Sequence, residues 1–326
     1  EYLNLINLAR VKRISSLEQL DLNEHLSKVE RDKLEAIDIE IINYKKTYGL
    51  IDFTDMLDKF LEKGSISNKL DVVFVDEAQD LSIIQWDVLN KIEKENSADI
   101  WVAGDDDQAI FGWAGADVDS FIDWEANEIP LQQSERVPSE IQEIALSIIN
   151  RVQDNRLEKT YKPKKEKGEI FEVINLCDID MIKGTWLILA RTNPLLKPIS
   201  SILKNKGLFF KTVDGNSIAK NLYEDKLNWD KMRKGETIPE IQEQRLLEKI
   251  KGKPNLDLEW YDAFTNVASA KIDYLRVMLS NGEKINKDPR ITVSTIHSAK
   301  GGEATNVVLF LNQTTNTMKA SKKSVY

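Results

Sequence analysis

Two short apolar runs, each closed by acidic residues, constrain the fold of this chain more than any other feature. The runs DVVFVD (71–76) and DIWVAGD (99–105) are rich in β-branched and aromatic residues, and residues 83–94 between them have helical character. Near-continuous apolar strands that alternate with helices are typical of a parallel sheet covered on both faces. The sequence therefore predicts an α/β fold with a parallel sheet.

A second α/β unit is predicted after Pro130. Ser139 and Gln142 have the spacing of a capping box ahead of a helix, and Gly207 closes a helix over 195–206. The predicted strands are 168–175, 185–191, 208–214, 291–297 and 306–311. Residues 216–288 lack strand-like runs and are charged and helical, so they are interpreted as a helical insertion that splits this unit.

The first 64 residues are predicted to be helical. Residues 1–47 contain neither Gly nor Pro and read as a helix or a helical pair. The next stretch, IDFTDMLDKFLEKG, has an apolar face at helical spacing, with Asp52 as the N-cap and Gly64 as the stop.

Composition limits the classes of protein to which the chain can belong. At 326 residues, with 41% hydrophobic residues, it can fold into about two domains. No apolar run approaches the roughly 20 residues of a membrane-spanning helix, and the first residues lack the pattern of a secretory signal. Cys177 is the only cysteine, so no internal disulfide can form and a cytoplasmic location is expected. The net charge of −9 argues against coating nucleic acid through bulk positive charge, so any nucleic-acid site must be local.

The acidic pair Asp76 and Glu77 follows the first predicted strand directly. One interpretation is an acidic loop that solubilises a strand end. The other is a nucleotide-hydrolysis site, in which one carboxylate holds Mg²⁺ and the other accepts the proton of the attacking water. The next strand leads into GDDDQAIFGWAGA (104–116), whose Gln108 could contact the terminal phosphate or the water. This second acidic loop favours the hydrolysis site.

Four segments resemble, in order, the motifs of superfamily 1 DNA helicases of the UvrD/Rep (PcrA-like) type. They are DEAQD, VAGDDDQAIFGWAGA, LQQSERVPSEI and VSTIHSAKGGEATNVVLF, and the resemblance covers roughly residues 50–311. It implies an ATP-dependent motor that moves 3′ to 5′ along single-stranded DNA, built from two RecA-like (P-loop NTPase-type) parallel-sheet domains, the second split by the helical insertion.

The resemblance also implies a division of the chain. Residues 1–47 would end an inserted 1B-like domain, and 48–130 would be a partial first RecA-like domain (1A). The second RecA-like domain (2A) would comprise 131–215 and a truncated return segment, 289–326, with 216–288 as a reduced 2B-like insertion.

The nucleotide-site roles come from the same resemblance, and the implied cofactors are ATP and Mg²⁺. Asp76 would coordinate Mg²⁺, and Glu77 would be the catalytic base. Gln108 would sense the γ-phosphate, Arg136 would clamp it, and Glu303 would approach the ribose. Without the resemblance, an arginine such as Arg136 is interpreted as a surface ion-pair partner.

DNA contacts are implied for a second set of residues. A base would stack on Trp113, while His297, Ser298 and Lys300 would couple DNA contact to the nucleotide site. The alternatives are a core tryptophan and a hydrogen-bonded structural histidine. Arg191 and Asn193 match a further family segment and are given supporting roles. The lysine-rich segment KTYKPKKEK (159–167) is either a DNA phosphate contact or a solvated linker.

Two family features do not occur in the 326 residues. There is no GxxxxGK[ST] phosphate loop, and no arginine-bearing motif of the kind that closes the family's second domain. We therefore expect the chain to be the middle of a longer helicase and not to hydrolyse ATP alone. The alternatives are a non-catalytic scaffold that binds single-stranded DNA or protein, and the helicase arm of a helicase–nuclease. The predicted partners are single-stranded DNA or a junction of single- and double-stranded DNA, with accessory proteins as further candidates and no membrane.

Overall fold

A computed structural model describes residues 1–23, 26, 28–66, 69–152, 156–315 and 317–319 of the chain. They form two compact units, Glu1–Glu169 and Ile170–Tyr326. Residues 24, 25 and 27 of the predicted segment 1–47, and 316 and 320–326 of the predicted return segment, lie outside the described residues.

The first unit begins with helices. They are α1 (Tyr2–Val11), α2 (Ser16–Asp21), α3 (Arg31–Tyr48) and α4 (Phe53–Lys63). The predicted N-cap of α4 is confirmed: Asp52 accepts a hydrogen bond from the Asp55 backbone N–H at 2.8 Å, and the Asp55 carboxylate accepts one from the Asp52 N–H at 2.8 Å. This reciprocal capping satisfies backbone donors at the helix N-terminus, which have no partner within the helix.

Two parallel strand pairs follow in the first unit. They involve β1 (Val72–Val75), α5 (Ile83–Asn96), β2 (Asp99–Val102), α6 (Val118–Ile122), β3 (Gln133–Pro138), α7 (Ser139–Ile149) and β4 (Lys162–Lys164). Strand β1 pairs with β2 in parallel, and β3 pairs with β4 in parallel. The predicted strand–helix–strand arrangement of residues 71–105 is confirmed.

The second unit is built on a five-stranded sheet in the order β7-β6-β8-β5-β9, in which only the β6–β7 pair is antiparallel. Its elements are β5 (Trp186–Ala190), α8 (Leu196–Asn205), β6 (Phe210–Thr212), β7 (Gly215–Asn216), α9 (Lys220–Arg233), α10 (Glu240–Leu247), α11 (Trp260–Ala263), α12 (Ser269–Ser280), β8 (Ile291–Thr295) and β9 (Asn306–Phe310). Helices α9 to α12 lie within residues 216–288, the segment interpreted from the sequence as a helical insertion. The strands and the insertion share one core, in which Ile188 and Val293 pack with Trp229 and Leu275.

The structure corrects two local predictions. Residues 168–175 form no strand, and Ile174 is 97% exposed. Alternation of apolar residues favours a strand only where a neighbouring strand can pair with it, which a local pattern does not specify. The capping box at Ser139 is also wrong: Pro138 is the N-cap of α7, and the Ser139 hydroxyl donates to the Glu140 carboxylate at 3.0 Å.

The chain is thus a mixed α/β protein with parallel sheets, as predicted. None of the helices in the described ranges is both long enough and apolar enough to span a bilayer.

Candidate functional site

The loops that follow β1 and β2 lie side by side. The two strands are paired in register from Val72–Asp99 to Val75–Val102, so their carboxyl ends meet at one edge. Beyond the strands, the Ala103 N–H donates to the Val75 carbonyl at 2.7 Å and the Ala78 N–H donates to the Ala103 carbonyl at 3.0 Å. This pairing brings the DEAQD and GDDDQ segments to the same edge of the sheet.

A buried glutamine joins these two loops. The Gln79 side chain is fully buried, and its Nε2 donates to the Glu77 Oε2 at 2.6 Å. At its other end, Gln79 Oε1 accepts a hydrogen bond from the Asp105 backbone N–H at 3.0 Å. The amide therefore fixes the carboxylate of one loop relative to the backbone of the other.

Gly104 provides the space that Gln79 occupies. A Cβ atom at position 104 would lie 2.5 Å from Gln79 Oε1 and 3.0 Å from the ring of Phe121. A glycine is needed here because of this close approach. At the same junction, the backbone of Glu77 has a positive φ of +52°, which is uncommon for a residue other than glycine.

The predicted site residues of this edge are linked through Asp105. Gln108 Nε2 donates to Asp105 Oδ2 at 2.7 Å, and Asp76 Oδ1 accepts from the Glu77 N–H at 2.9 Å. Asp76, Glu77 and Gln108 are all exposed. The structure therefore brings together, on one edge, the three residues predicted to hold the metal, accept the proton and sense the phosphate.

Three basic or hydroxyl side chains bind the acidic loop. Arg156 forms a two-point contact with Asp107, with Nε at 2.6 Å and Nη2 at 3.0 Å from its carboxylate oxygens. Lys159 Nζ lies 2.7 Å from Asp105 Oδ1 and also contacts Asp106. The Tyr161 hydroxyl donates to Asp105 Oδ1 at 3.1 Å.

Charge pairing controls the ionisation of this cluster. Burial by itself would raise the pKa of Asp105, but hydrogen bonds from Lys159 and Gln108 outweigh it and hold that pKa below its usual value. Burial and the charge of Asp105 raise the pKa of Tyr161 to about 12. Asp105 is therefore a carboxylate, and Tyr161 a neutral hydroxyl, at neutral pH.

Trp113 and Arg136 lie elsewhere in the first unit. Trp113 is 68% exposed, and its ring centroid lies 6.4 Å from that of Phe111. A core role for this tryptophan is thereby ruled out. Arg136 is exposed on β3, which belongs to the β3–β4 sheet rather than to the β1–β2 sheet.

The remaining predicted residues lie in the second unit, in the loop after β8. The Ile296 N–H donates to the Ala190 carbonyl at 3.0 Å, so this loop runs beside the end of β5. Arg191 Nη1 lies 3.1 Å from His297 Nδ1, and burial together with the Arg191 charge lowers the pKa of His297. His297 is therefore neutral at pH 7.

Ser298, Lys300 and Glu303 follow His297 in the same loop. The Ser298 N–H donates to Thr295 Oγ1 at 3.2 Å, and the Gly302 N–H donates to the Ala299 carbonyl at 2.9 Å. Glu303 is exposed beyond this turn. The loop thus has a defined conformation through its own hydrogen bonds.

Sequence reasoning overlooked Gln79, Gly104 and Lys159 as parts of the site. Gln79 lies within DEAQD, and a buried amide between two acidic loops has no local sequence signal. Lys159 was interpreted only as a DNA contact or as part of a linker. Its reach to an acidic loop more than 50 residues away depends on the tertiary structure.

In open α/β sheets, ligands bind at the carboxyl ends of the strands, which is where Asp76, Glu77 and Gln108 lie. Residues 2–128 match the family model described as UvrD/REP helicase N-terminal domain. The chain is 30% identical to DNA helicase II of Haemophilus influenzae over 185 residues, which are 51% of this chain and 25% of that protein. By these matches, residues 2–128 of the chain are similar to the N-terminal domain of UvrD/Rep helicases.

Two other relatives broaden the comparison. Over 239 residues the chain is 23% identical to ATP-dependent DNA helicase PcrA of Leuconostoc citreum, covering 64% of this chain and 31% of that protein. Over 92 residues it is 35% identical to RecBCD enzyme subunit RecB of Buchnera aphidicola, covering 25% of this chain and 8% of that protein. The chain therefore spans about a quarter to a third of the length of the two helicases.

Proposed function

We propose that this chain supplies the nucleotide-hydrolysis edge and DNA contacts of an ATP-dependent DNA helicase or translocase. The observation that carries the proposal is the linked edge Glu77–Gln79–Asp105–Gln108, in which a carboxylate and an amide from two loops share one hydrogen-bonded junction. A solubilising acidic loop does not require a buried amide that joins it to its neighbour.

The proposed hydrolysis step uses the groups of this edge. Glu77 accepts the proton of the attacking water, and Gln79 holds the orientation of its carboxylate through the 2.6 Å hydrogen bond. Gln108 contacts the terminal phosphate or the water. Arg136 and Glu303 are proposed to approach the γ-phosphate and the ribose.

Asp76 is proposed to hold Mg²⁺. Among the described residues, no group of three or more His, Cys, Asp or Glu side chains could hold a metal ion. A single exposed carboxylate fits Mg²⁺, which is commonly bound by one or two carboxylates together with substrate phosphates and water. When bound, the ion neutralises phosphate charge.

The proposed DNA substrate is single-stranded DNA or its junction with duplex, with movement from 3′ to 5′. Exposure of Trp113 supports stacking on a base, and His297, Ser298 and Lys300 are proposed as further DNA contacts. The RecA-like nature of both sheet units, a cytoplasmic location, accessory protein partners and a link to a nuclease remain predictions.

Substitution of the proposed base tests this function. In the full-length protein that carries these residues, Glu77→Gln should lower DNA-stimulated ATP turnover by about 100-fold or more, because an amide cannot accept the water proton. Nucleotide binding should persist. The control is Glu62→Gln, which changes an exposed carboxylate of α4 in the same unit.

Two results would contradict the proposal. Equal turnover in Glu77→Gln and wild type would remove Glu77 from the chemistry. Near-zero turnover in both, with DNA binding retained, would favour a non-catalytic scaffold.

A further inference from the structure

The segment from Arg156 to Tyr161 binds the acidic loop 105–107 of the β2 edge. Arg156 contacts Asp107, Lys159 contacts both Asp105 and Asp106, and Tyr161 contacts Asp105. The backbone takes part as well, since the Leu157 N–H donates to Asp106 Oδ2 at 3.0 Å. The Tyr161 hydroxyl also lies 3.4 Å from Asp107 Oδ2, so the segment contacts all three aspartates of the loop.

These charges are withdrawn from solvent. The Asp106 side chain is 2% exposed, and the side chains of Asp107, Arg156 and Lys159 are largely covered. A buried charge is costly unless it is paired, so the loop depends on these cations for its position. A solvated linker would leave its lysines in water, and a DNA-phosphate contact would leave them accessible to an anion.

The contacts continue into the proposed nucleotide site. The carboxylate of Asp105 accepts from Lys159, Tyr161 and Gln108, and its backbone N–H donates to Gln79. Gln79 in turn donates to Glu77. Lys159 is therefore two hydrogen bonds from Gln108 and three from Glu77.

We propose that Lys159, with Arg156 and Tyr161, is a positioning group for ATP hydrolysis that holds Asp105 and thereby sets the orientation of Gln108 and Glu77. This inference rests on the proposed function. It assigns the front of the lysine-rich segment to the nucleotide site rather than to DNA phosphate contact.

The test compares Lys159→Met with Lys94→Met, which removes an exposed lysine of α5 in the same unit. In the full-length protein, Lys159→Met should lower kcat for DNA-stimulated ATP hydrolysis about 10- to 100-fold, because misplacement of a catalytic group by about 1 Å is enough for such a loss. KM for ATP and affinity for single-stranded DNA should change less than about twofold. Lys159→Arg should recover most of the kcat, since it restores a cation beside Asp105 and Asp106.

Hydrogen exchange gives a readout that does not need turnover. Backbone amides of residues 104–110 should exchange at least about tenfold faster in Lys159→Met than in Lys94→Met, because the loop loses its main cation. Tyr161→Phe removes only the hydroxyl, which contacts Asp105 and Asp107, and keeps the ring, so it serves if Lys159→Met does not fold. Tyr161→Phe should lower kcat and speed amide hydrogen exchange of residues 104–110 by smaller factors than Lys159→Met.

The outcomes separate the two proposals. Lost DNA affinity with unchanged kcat in Lys159→Met would overturn the positioning role and return the lysine to DNA contact. If the wild type hydrolyses no ATP, the proposed function fails, and exchange alone decides the inference: equal exchange in the two methionine variants refutes attachment of the loop by Lys159, and faster exchange in Lys159→Met supports it.

Discussion

A single methyl group should be enough to disturb the junction between the two loops. Gly104→Ala would place a Cβ 2.5 Å from Gln79 Oε1, and Gln79 is fully buried and hydrogen-bonded at both ends of its amide. We expect the unfolding free energy to fall by about 1–3 kcal/mol, the usual cost of overpacking. Urea unfolding measures this loss of stability, and the m-value should stay unchanged.

Gly112→Ala is the matched control for this prediction. No heavy atom lies within 4 Å of a Cβ built at Gly112, and its backbone is not left-handed. A loss of stability as large in Gly112→Ala as in Gly104→Ala would show that glycine flexibility, and not contact with Gln79, explains the effect.

For individual residues, the sequence predicted part of the candidate site. Asp76, Glu77 and Gln108 were expected to share one edge because parallel strands bring their carboxyl ends together, and the strand register confirms this. The interactions of Gln79 could not be predicted. A glutamine in a short acidic motif has the same local pattern whether it faces water or bridges two loops.

Among the elements, the N-terminus of α4 offers a test of ion pairing by pH. Asp52 caps the helix and also accepts hydrogen bonds from Arg10, at 2.8 Å, and from Lys45. Burial alone would raise the pKa of Asp52, but these cations and the Asp55 N–H lower it below the unfolded value of 3.8. Its stabilising contribution is therefore fully present above about pH 5 and is lost progressively as the pH falls through 3.8 and below.

Asp52→Ala should accordingly cost about 1–2 kcal/mol of unfolding free energy at pH 7, mainly through loss of the cap. The difference from wild type should shrink as the pH falls from 5 to 2. Denaturant unfolding from pH 5 to pH 2 measures this difference in unfolding free energy. Glu62→Ala, in the same helix, is the control. A difference that stays constant to pH 2 would mean that the ionised carboxylate contributes nothing.

The elements also show where local patterns fail. The cap at Asp52 was predicted correctly because its partner, Asp55, is three residues away. The strand predicted at 168–175 was wrong, while lysine-rich Lys162–Lys164 forms β4 against β3. Pairing with a distant strand decides both cases, and it is not encoded in the local alternation of apolar residues.

For the whole molecule, a net charge of −9 limits how the proposed DNA substrate can be bound. Arg156 and Lys159 are paired with internal carboxylates, so bulk attraction to phosphate is weak. We expect the logarithm of single-stranded DNA affinity to fall with the logarithm of salt concentration with a slope no steeper than about −2, equivalent to about three phosphate contacts.

Trp113→Ala should then weaken binding by about 1–3 kcal/mol at every salt concentration and for every base composition, leaving the slope unchanged. Fluorescence anisotropy titrations at several salt concentrations measure both quantities. A steep wild-type slope, or a loss confined to one base composition, would contradict binding dominated by stacking.

The organisation of the whole chain was predicted only in outline. The helical character of residues 216–288 was predicted from their composition, and α9 to α12 lie within that segment. The strand order β7-β6-β8-β5-β9 was not predicted, because tertiary packing determines which strands are neighbours in a sheet. The contact-based division after Glu169 groups residues 131–169 with the first unit, and the five-segment division of the chain remains a prediction.

The buried amide of Gln79 has a consequence for how this protein can vary. Because a larger side chain at 104 and the amide at 79 compete for one volume, neither position can change freely while the other is kept. Related chains that diverge at this junction are therefore expected to replace the two residues together, so that substitutions at 79 and 104 covary.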